Sequence, residues 1–541
     1  MVGYSSRLNP KKPGCLRRAR LLCVLLFLLA AGCAAVGPDY KALEADTPEE
    51  WLDAQKQLIT SDPIRPDWWG VFGDPELVSL VQEAFARNLT LRVAGLRVYE
   101  SRASLGVAVG NLYPQSQAAE GSIQAVNPSD RAPTAPQPGS SGTYPAYNQA
   151  SVDATASWEL DFWGKFRRGV EAARAEVDAS VADYHDARVS LAAQTAQTYL
   201  TLRIYQERLA IARANVVVQR EGLRIAQARY RYGATSDRDV QQAVTLLTST
   251  QATIPSLENG LAQAEHALAL LLGMTPGELH ARLKIEQGIP DVPAEVAVGV
   301  PADLLRRRPD IRKAERLAAA QSARIGEAKA DLYPSFTLSG TIGFLSSSVG
   351  AFELSDILSH GYTASGSAGL RWSLFNYGRI TNAVRVQDAV YQELETQYEN
   401  TVLSALREAE DSLSAFLRAR EQAAFLDKSA TAAARSVKLA LFQYREGATD
   451  FTTVLTAQQN LLQQQDNLAL ARGAIVTNLA GLYRALGGGW EAPQGRDEAP
   501  LAVPAKVREE MKSRTDWGGL LDTDPEKPGG TPKTDWPSPD W

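Results

Sequence analysis

Apolar and polar residues alternate along several short stretches of the chain. In 335–344 the even positions are Phe336, Leu338, Gly340, Ile342 and Phe344, and the odd ones are Ser, Thr or Gly. In 362–374 one face carries Tyr362, Ala364, Gly366, Ala368, Leu370, Trp372 and Leu374; the other carries Thr363, Ser365, Ser367, Gly369, Arg371 and Ser373. A period of two predicts strands with one apolar and one polar face. Residues 150–160 repeat the pattern, with Ala150, Val152, Ala154, Ala156, Trp158 and Leu160 on one side. The stretch 115–125 is weaker, because it sets Glu120 on the face expected to be apolar. Strands of about 9–11 residues with an apolar face and terminal aromatics suit an outer-membrane barrel, although a soluble hairpin would also alternate. The segments 126–148 and 345–361 read as surface loops.

Between the strands the period changes. From Arg379 to Glu446 there is neither Gly nor Pro, and the stretch 165–232 has no Pro and only Gly169 and Gly222. Each predicts one helix about 100 Å long at 1.5 Å per residue. Apolar residues recur at spacings of three and four (Leu403, Leu406, Leu413, Leu417), as for helices packed along a seam. Gly-Ala-Thr turns follow, then return helices near 236–272 and 450–486, with a kink or break expected at Pro255. Further helices are expected near 75–110 and 309–330.

The landmarks repeat in order. Leu112-Tyr113-Pro114 returns as Leu332-Tyr333-Pro334, an offset of 220. Trp158 with Trp163-Gly164-Lys165 returns as Trp372 with Tyr377-Gly378-Arg379, an offset of 214. Tyr230 to Thr235 returns as Tyr444 to Thr449, again at 214. A period this long is no solenoid, so the chain is a duplicated unit with two pseudo-equivalent halves.

Composition limits what such a unit can be. Of 541 residues, 45% are hydrophobic and 22% charged, with a mean hydropathy of −0.22. That argues against a disordered chain and against a bundle of membrane helices, because the single long apolar run, 21–31, is too short to span a bilayer. The formal net charge of −6 argues against a nucleic-acid binder. Arg7, Lys11, Lys12, Arg17, Arg18 and Arg20 precede the apolar run, and Gly32-Cys33 closes it. This order predicts a secretory leader over 1–32, and losing its six positive charges takes the chain from −6 to −12. Leu29-Ala30-Ala31-Gly32-Cys33 resembles a lipobox, which makes Cys33 the acylated N-terminus of the mature chain. The other cysteines, Cys15 and Cys23, lie in the leader, so no internal disulfide is expected.

Two hairpins supply four strands per chain, and a bilayer tolerates no open sheet edge. A side-chain-filled barrel needs about eight strands and a water-filled one more. At least two chains, and best three, must therefore share one barrel.

The run 300–311, Val-Pro-Ala-Asp-Leu-Leu-Arg-Arg-Arg-Pro-Asp-Ile, is followed by Ala314-Glu315 and by Ile325-Gly326 before Tyr333-Pro334-Ser335. With Trp68-Trp69, Phe72, Asp74-Pro75, Asn88-Leu89 and Val36-Gly37-Pro38-Asp39-Tyr40, it resembles the outer membrane factor family of TolC-like channels, and within it the NodT-type efflux lipoproteins. The resemblance spans about 33–488. The run 300–311 itself reads as structural, Pro309 starting a helix whose dipole Asp310 and Glu315 complement.

The resemblance implies an α+β membrane protein: a homotrimer with a twelve-stranded outer-membrane β-barrel and a periplasmic α-helical barrel. It divides the chain into a signal peptide (1–32), an anchor segment (33–74), a first repeat (75–274), a linker and equatorial region (275–308), a second repeat (309–487) and a Pro/Gly-rich tail (488–541) expected to be mobile, the equatorial belt coming from the linker and the C-terminal region. It further implies the exit duct of a tripartite efflux pump in the Gram-negative outer membrane, fed through a periplasmic adaptor by an inner-membrane pump of the resistance-nodulation-division type. The turns Gly233, Ala234, Thr235 and Gly447, Ala448, Thr449 are similar to adaptor-docking tips, although a helix-ending Gly is needed at such turns in any case. Acidic rings line the closed aperture in this family. The matching positions are Asp237, Asp239, Asp450, Thr453 and Thr456, the two threonines standing where relatives often carry Asp. Three copies of an Asp in a narrow throat would favour cations.

No cofactor, metal site or enzymatic activity is expected. His185, His266, His280 and His360 are scattered, and no nucleotide loop or nucleophile elbow occurs. Met1, Met274 and Met511 form no relay for soft metals, which favours organic solutes. The rival reading at this point is a non-pore periplasmic coiled-coil lipoprotein that spaces or tethers envelope layers.

Overall fold

The computed structural model describes residues 35–52, 59–60, 62, 64–127, 146–283, 288–293, 295–347, 361–491, 501, 503–517 and 520–521. Cys33 with its leader, the central parts of both expected loops, and His360 lie outside the described residues.

Within them the strands are β1 (Ile59–Thr60), β2 (Ser116–Val126), β3 (Tyr147–Leu160), β4 (Val296–Ala297), β5 (Ser335–Ser347) and β6 (Tyr362–Arg371). The helices are α1 (Pro75–Arg87), α2 (Leu89–Gly110), α3 (Lys165–Arg231), α4 (Asp237–Leu271), α5 (Pro276–Arg282), α6 (Leu304–Arg307), α7 (Pro309–Ala330), α8 (Arg379–Arg445), α9 (Phe451–Ala485) and α10 (Ala505–Arg514). β1 and β4 form a small parallel pair; β2-β3-β5-β6 form one antiparallel sheet in that order.

The two long helices, α3 and α8, are each 67 residues and unbroken, as the absence of Pro predicts. Their neighbours are short helices stacked end to end. α2 and α4 both pack on one side of α3, while α7 and α9 both fill the space between α3 and α8. The result is four staves, two continuous and two built from pairs. Many seam positions are alanine, including Ala192, Ala193, Ala196, Ala405, Ala409 and Ala480, which lets the backbones approach closely.

Three expectations need correction here. The helix expected over 75–110 is two, because Asn88 adopts an extended backbone that ends α1. Its side chain then caps α2 by accepting from Leu91 N at 2.8 Å and donates to Leu271 O at 2.9 Å, tying both helices to α4. No break occurs at Pro255, through which α4 runs uninterrupted. The tail beyond 488 is not simply a mobile extension either. Leu501, Val503, Met511 and Leu521 are buried in the main core, and α10 docks with them.

That main core lies at the equator, where α2 meets α4 and α7 meets α9. Trp68 is fully buried, stacks on Tyr483 at 5.2 Å and donates its indole N–H to Gly488 O. Asp74 starts α1 as its cap and also accepts from the Tyr199 hydroxyl at 2.5 Å, which in turn accepts from Arg203. The 300–311 run is a structural hub, as expected. Arg308 donates to Asp310 (2.6 Å), to Glu408 on α8 (3.0 Å) and to Ala485 O at the end of α9 (2.8 Å). A cation at a helix C-terminus is favoured by the exposed carbonyls there. Glu315 accepts instead from Tyr40 and Arg316. Among the histidines, His185 is buried and stacked on Trp490, and His280 bonds the buried Glu265.

Candidate functional site

The sheet sits at one end of the staves. Its register keeps the two faces separate across all four strands. On one face lie Ile123, Val152, Ala154, Leu338, Ile342, Ala368 and Leu370, with Trp372 just beyond β6. Ile123, Val152, Leu338, Ile342, Leu370 and Trp372 are exposed. Burying such a side chain is worth about 1.5–3 kcal/mol, so the face has an apolar surrounding to gain. On the other face lie Ser122, Asp153, Thr155, Ser339, Thr341, Ser365, Ser367 and Arg371.

Glu120 belongs to this second, polar face: it stands opposite Asp153, not among the apolar residues. The expectation failed because one extra residue separates the Tyr-Pro landmark from the start of β2, compared with β5. The first-half sequence reads Pro114-Gln115-Ser116 where the second reads Pro334-Ser335. Gln115 takes up the extra position outside the ladder. Its side chain imitates a backbone pairing, accepting from Glu159 N at 2.7 Å and donating to Glu159 O at 3.1 Å. The slip of one residue turns every β2 side chain to the opposite face. The outer edges of β2 and β6 are unpaired among the described residues.

Far from the sheet, α3–α4 and α8–α9 end in two turns lying side by side. Gly233 and Gly447 adopt φ of 71° and 77°. Ala234 N then bonds Arg229 O, and Ala448 N bonds Gln443 O, both at 2.8 Å, closing each long helix with a left-handed cap. A small core of Ile225, Ala226, Val240, Ala440, Tyr444, Phe451 and Val454 lies just behind.

The expected aperture residues divide sharply in this geometry. Asp239 is buried and accepts from the Thr235 hydroxyl, with Arg238 at 3.8 Å. Asp450 is exposed and caps α9, accepting from Thr453 N (3.1 Å) and the Thr453 hydroxyl (2.8 Å), which hold its carboxyl below the usual carboxylate range. Thr456 bonds back to Thr452 O on its own helix. Asp237 is exposed, with only long contacts from Gln241 at 3.4 and 3.5 Å. By the offset of 214, Ser236 and Asp239 correspond to Asp450 and Thr453. The acid and the hydroxyl have exchanged places between the halves.

One tip residue escaped the sequence reading. Arg229 donates to Tyr444 O on the other long helix, lies 4.6 Å over the Tyr444 ring, and reaches Ala234 O at 3.4 Å. Its counterpart in the second half is Gln443, and that difference between halves was the available signal.

The N-terminal segment forms a strap down the staves. Val36 N bonds Trp163 O at 2.9 Å just beneath the sheet, and Arg168 binds Val36 O and Asp39. Gly37 crosses Gly326 of α7 so closely that a Cβ on Gly37 would lie 2.3 Å from the Gly326 Cα. Tyr40 then bonds Glu315, Leu43 O accepts from Tyr398, and Trp51 reaches Gly299 O at the equator.

Against known proteins, the family model described as outer membrane efflux protein matches residues 80–274 and 300–488. The chain is similar to Nodulation protein T of Rhizobium leguminosarum bv. viciae, with 31% identity over 498 residues, 91% of this chain and 98% of that protein. It is 31% identical over 451 residues to the pyoverdine export outer membrane protein OpmQ of Pseudomonas aeruginosa, covering 82% of this chain and 92% of the relative. Among solved structures it resembles the outer-membrane channel OprN, with a TM-score of 0.78 and 32% identity over 84% of this chain and 99% of that one. The open state of the Neisseria gonorrhoeae MtrE outer membrane channel matches with a TM-score of 0.70 and 26% identity, over 84% of this chain and 99% of that one.

Proposed function

The chain belongs to the outer membrane efflux protein family, and on that premise we propose that it is the outer-membrane exit duct of a tripartite efflux pump. The observation that carries this reading is the four-stranded sheet, apolar on one exposed face and polar on the other, standing on staves with unpaired edges. A lipid-facing barrel with a hydrated interior requires that separation of faces. A periplasmic spacer has no use for it, and the family is one of channels, not of enzymes or tethers.

In this reading three copies close twelve strands into one barrel and twelve staves into one periplasmic tunnel. No helix among the described residues is long and apolar enough to cross a membrane, and the barrel alone would span it. The strap supports acylation at Cys33. Val36, three residues on, is tied directly beneath the sheet, so acyl chains on Cys33 would enter the leaflet that meets the barrel's base. The tip turns at Gly233, Ala234, Thr235 and at Gly447, Ala448, Thr449 dock the periplasmic adaptor, and an inner-membrane pump of the resistance-nodulation-division type feeds the tunnel. Of the aperture residues, Asp237 and Asp450 are exposed to supply charge; Asp239 and Thr453 fix the helix starts that carry them, while Thr456 bonds back within its own helix.

The test is conductance. The purified acylated protein should insert into planar bilayers as discrete conductance steps, with a cation preference that falls when Asp237 and Asp450 are both replaced by Ala. A monodisperse monomer that inserts nowhere would remove the duct reading. Conductance with unchanged selectivity in the double variant would remove only the aperture assignment.

A further inference from the structure

The duplication allows the open edge of the sheet to be read from the closed one. Within the chain, β3 of the first half pairs with β5 of the second. If β6 pairs with β2 of a neighbouring copy, that junction is the same step taken once more, from second half to first. The correspondence between halves is fixed by the two hairpins. Pairing in β2–β3 maps onto pairing in β5–β6 when β3 is advanced by 214 residues and β2, because of the Gln115 bulge, by 219. This relation makes Ser157↔Ser339 of the closed seam correspond to Arg371↔Glu120 of the open one.

We infer that β6 of one copy pairs antiparallel with β2 of the next in the register Arg371↔Glu120, Leu370↔Gly121, Gly369↔Ser122, Ala368↔Ile123. The inference rests on the shared barrel proposed above and adds the residues that join its copies. Three independent features agree with it. Within one copy neither Arg371 nor Glu120 has an ion-pair partner among the described residues, and Glu120 faces only Asp153 across β2–β3. Across the seam opposite charges meet on the polar face, a pairing that stabilises adjacent strands. On the apolar face large residues meet small ones, Leu370 against Gly121 and Ile123 against Ala368, which packs a lipid-facing seam without collision. A shift by one residue would mix the two faces, and a shift by two would bring Arg371 to Ala118 or Ser122 and lose the ion pair.

The third feature lies beneath the strands. In the closed junction Trp163 stacks on Tyr333 at 4.7 Å and donates to Pro334 O at 2.8 Å. Its counterpart Tyr377 is fully exposed and holds a positive φ of 51°, and the counterpart of Tyr333 is Tyr113. Tyr377 stacks on Tyr113 of the next copy, which gives this unusual backbone conformation a reason to persist.

Disulfide trapping tests the register in the intact, membrane-inserted protein. Leader removal would leave Cys33 as the only native cysteine, and the single-cysteine variants are the background controls. Ser122→Cys with Gly369→Cys should link neighbouring copies into dimers and trimers under oxidation. Ser122→Cys with Ser367→Cys, or with Arg371→Cys, should link at least several-fold less. Equal or better linking in either shifted pair overturns the register and leaves the assembly standing. A protein that neither links in any pair nor behaves as an oligomer overturns the assembly itself. As a second readout, Arg371→Glu should lower the yield of heat-resistant oligomer several-fold, and adding Glu120→Arg should restore more than half of it. Failure of the swapped pair to recover also overturns the proposed ion pair.

Discussion

The equator and the tip are built from the same four staves but held together in different ways. At the equator, segments from almost the whole chain converge: Trp51, Ile64 and Trp68 before α1, Tyr199 on α3, Leu268 on α4, Leu279 and Leu304 in the linker, Phe416 on α8, Tyr483 on α9, and Val503 and Met511 after it. The core there is aromatic, deeply buried and crossed by charged networks. At the tip, four helix ends share a handful of buried residues, Tyr444 and Phe451 the largest, and one arginine crosses from the first pair of helices to the second. Breadth of contact sets local stability, so the equator works as a clamp on the staves and the tip as their loosest end. An exit duct needs that inequality, because an aperture can move only where opening does not cost the whole fold.

The largest effect should come from breaking the clamp. Trp68→Ala removes a fully buried indole, its stack on Tyr483 and its bond to Gly488 O, and should destabilise the folded protein by about 3–5 kcal/mol. Thermal unfolding read by circular dichroism is the measurement. An unchanged midpoint would mean that the equator is not the clamp described. Next comes Arg308→Met, which leaves Glu408, Asp310 and the Ala485 carbonyl without their shared donor. Both acids are partly exposed, so the cost should be about 2 kcal/mol, below that of stranding a fully buried charge. The same melting experiment ranks the two, and a larger loss at Arg308 would reverse the order argued here.

At the tip the sign of the expected result changes. Arg229→Ala deletes a cation–π contact and a hydrogen bond between the two helix pairs, together worth about 1–2 kcal/mol, besides the long bond to Ala234 O in its own turn. The melting midpoint should barely move, whereas single-channel conductance or the frequency of open events should rise. Gln443→Ala, the equivalent change in the second half, should do neither. A conductance rise in both variants, or in neither, would show that Arg229 does not fasten the pairs.

How much of this was legible in the chain follows the range of the interactions. The long helices and their turns were read correctly because Pro, Gly and spacing act within a few residues: 165–231 and 379–445 are uninterrupted runs, and Gly233 and Gly447 end them. Glu120 was misplaced because a single inserted residue, Gln115, inverts every side chain after it, and only the partner strand reveals the slip. The docked tail was missed for a different reason. Leu501, Val503, Met511 and Leu521 are isolated apolar residues among Pro, Lys and Glu, with no period to betray a packed element; the surface they fill, beside Gly95 and Tyr184, comes from distant helices. At the tip, counting acids located Asp239 and Asp450 but could not tell that each spends its carboxylate on a neighbouring hydroxyl.

The smallest expected effect sharpens that last point. Asp450 accepts two bonds from Thr453, and these favour its charged form, so its folded pKa is depressed. A depressed carboxyl contributes stability above its unfolded value and loses it as pH falls through the folded one. Acidification should therefore loosen the first turn of α9, seen as lower protection factors for amide exchange at Thr453 and Val454 after correction for the intrinsic pH dependence, while the equatorial amides of Trp68 and Tyr199 stay protected. Asp450→Asn keeps an N-cap acceptor but cannot titrate, so the protection factors in that turn should become independent of acidity with the helix still formed. If the wild-type first turn is equally protected on both sides of the carboxylate range, the cap is not what holds α9 at the tip. The small core of Tyr444 and Phe451 would then have to carry more of the load, with Arg229 as a polar restraint on opening.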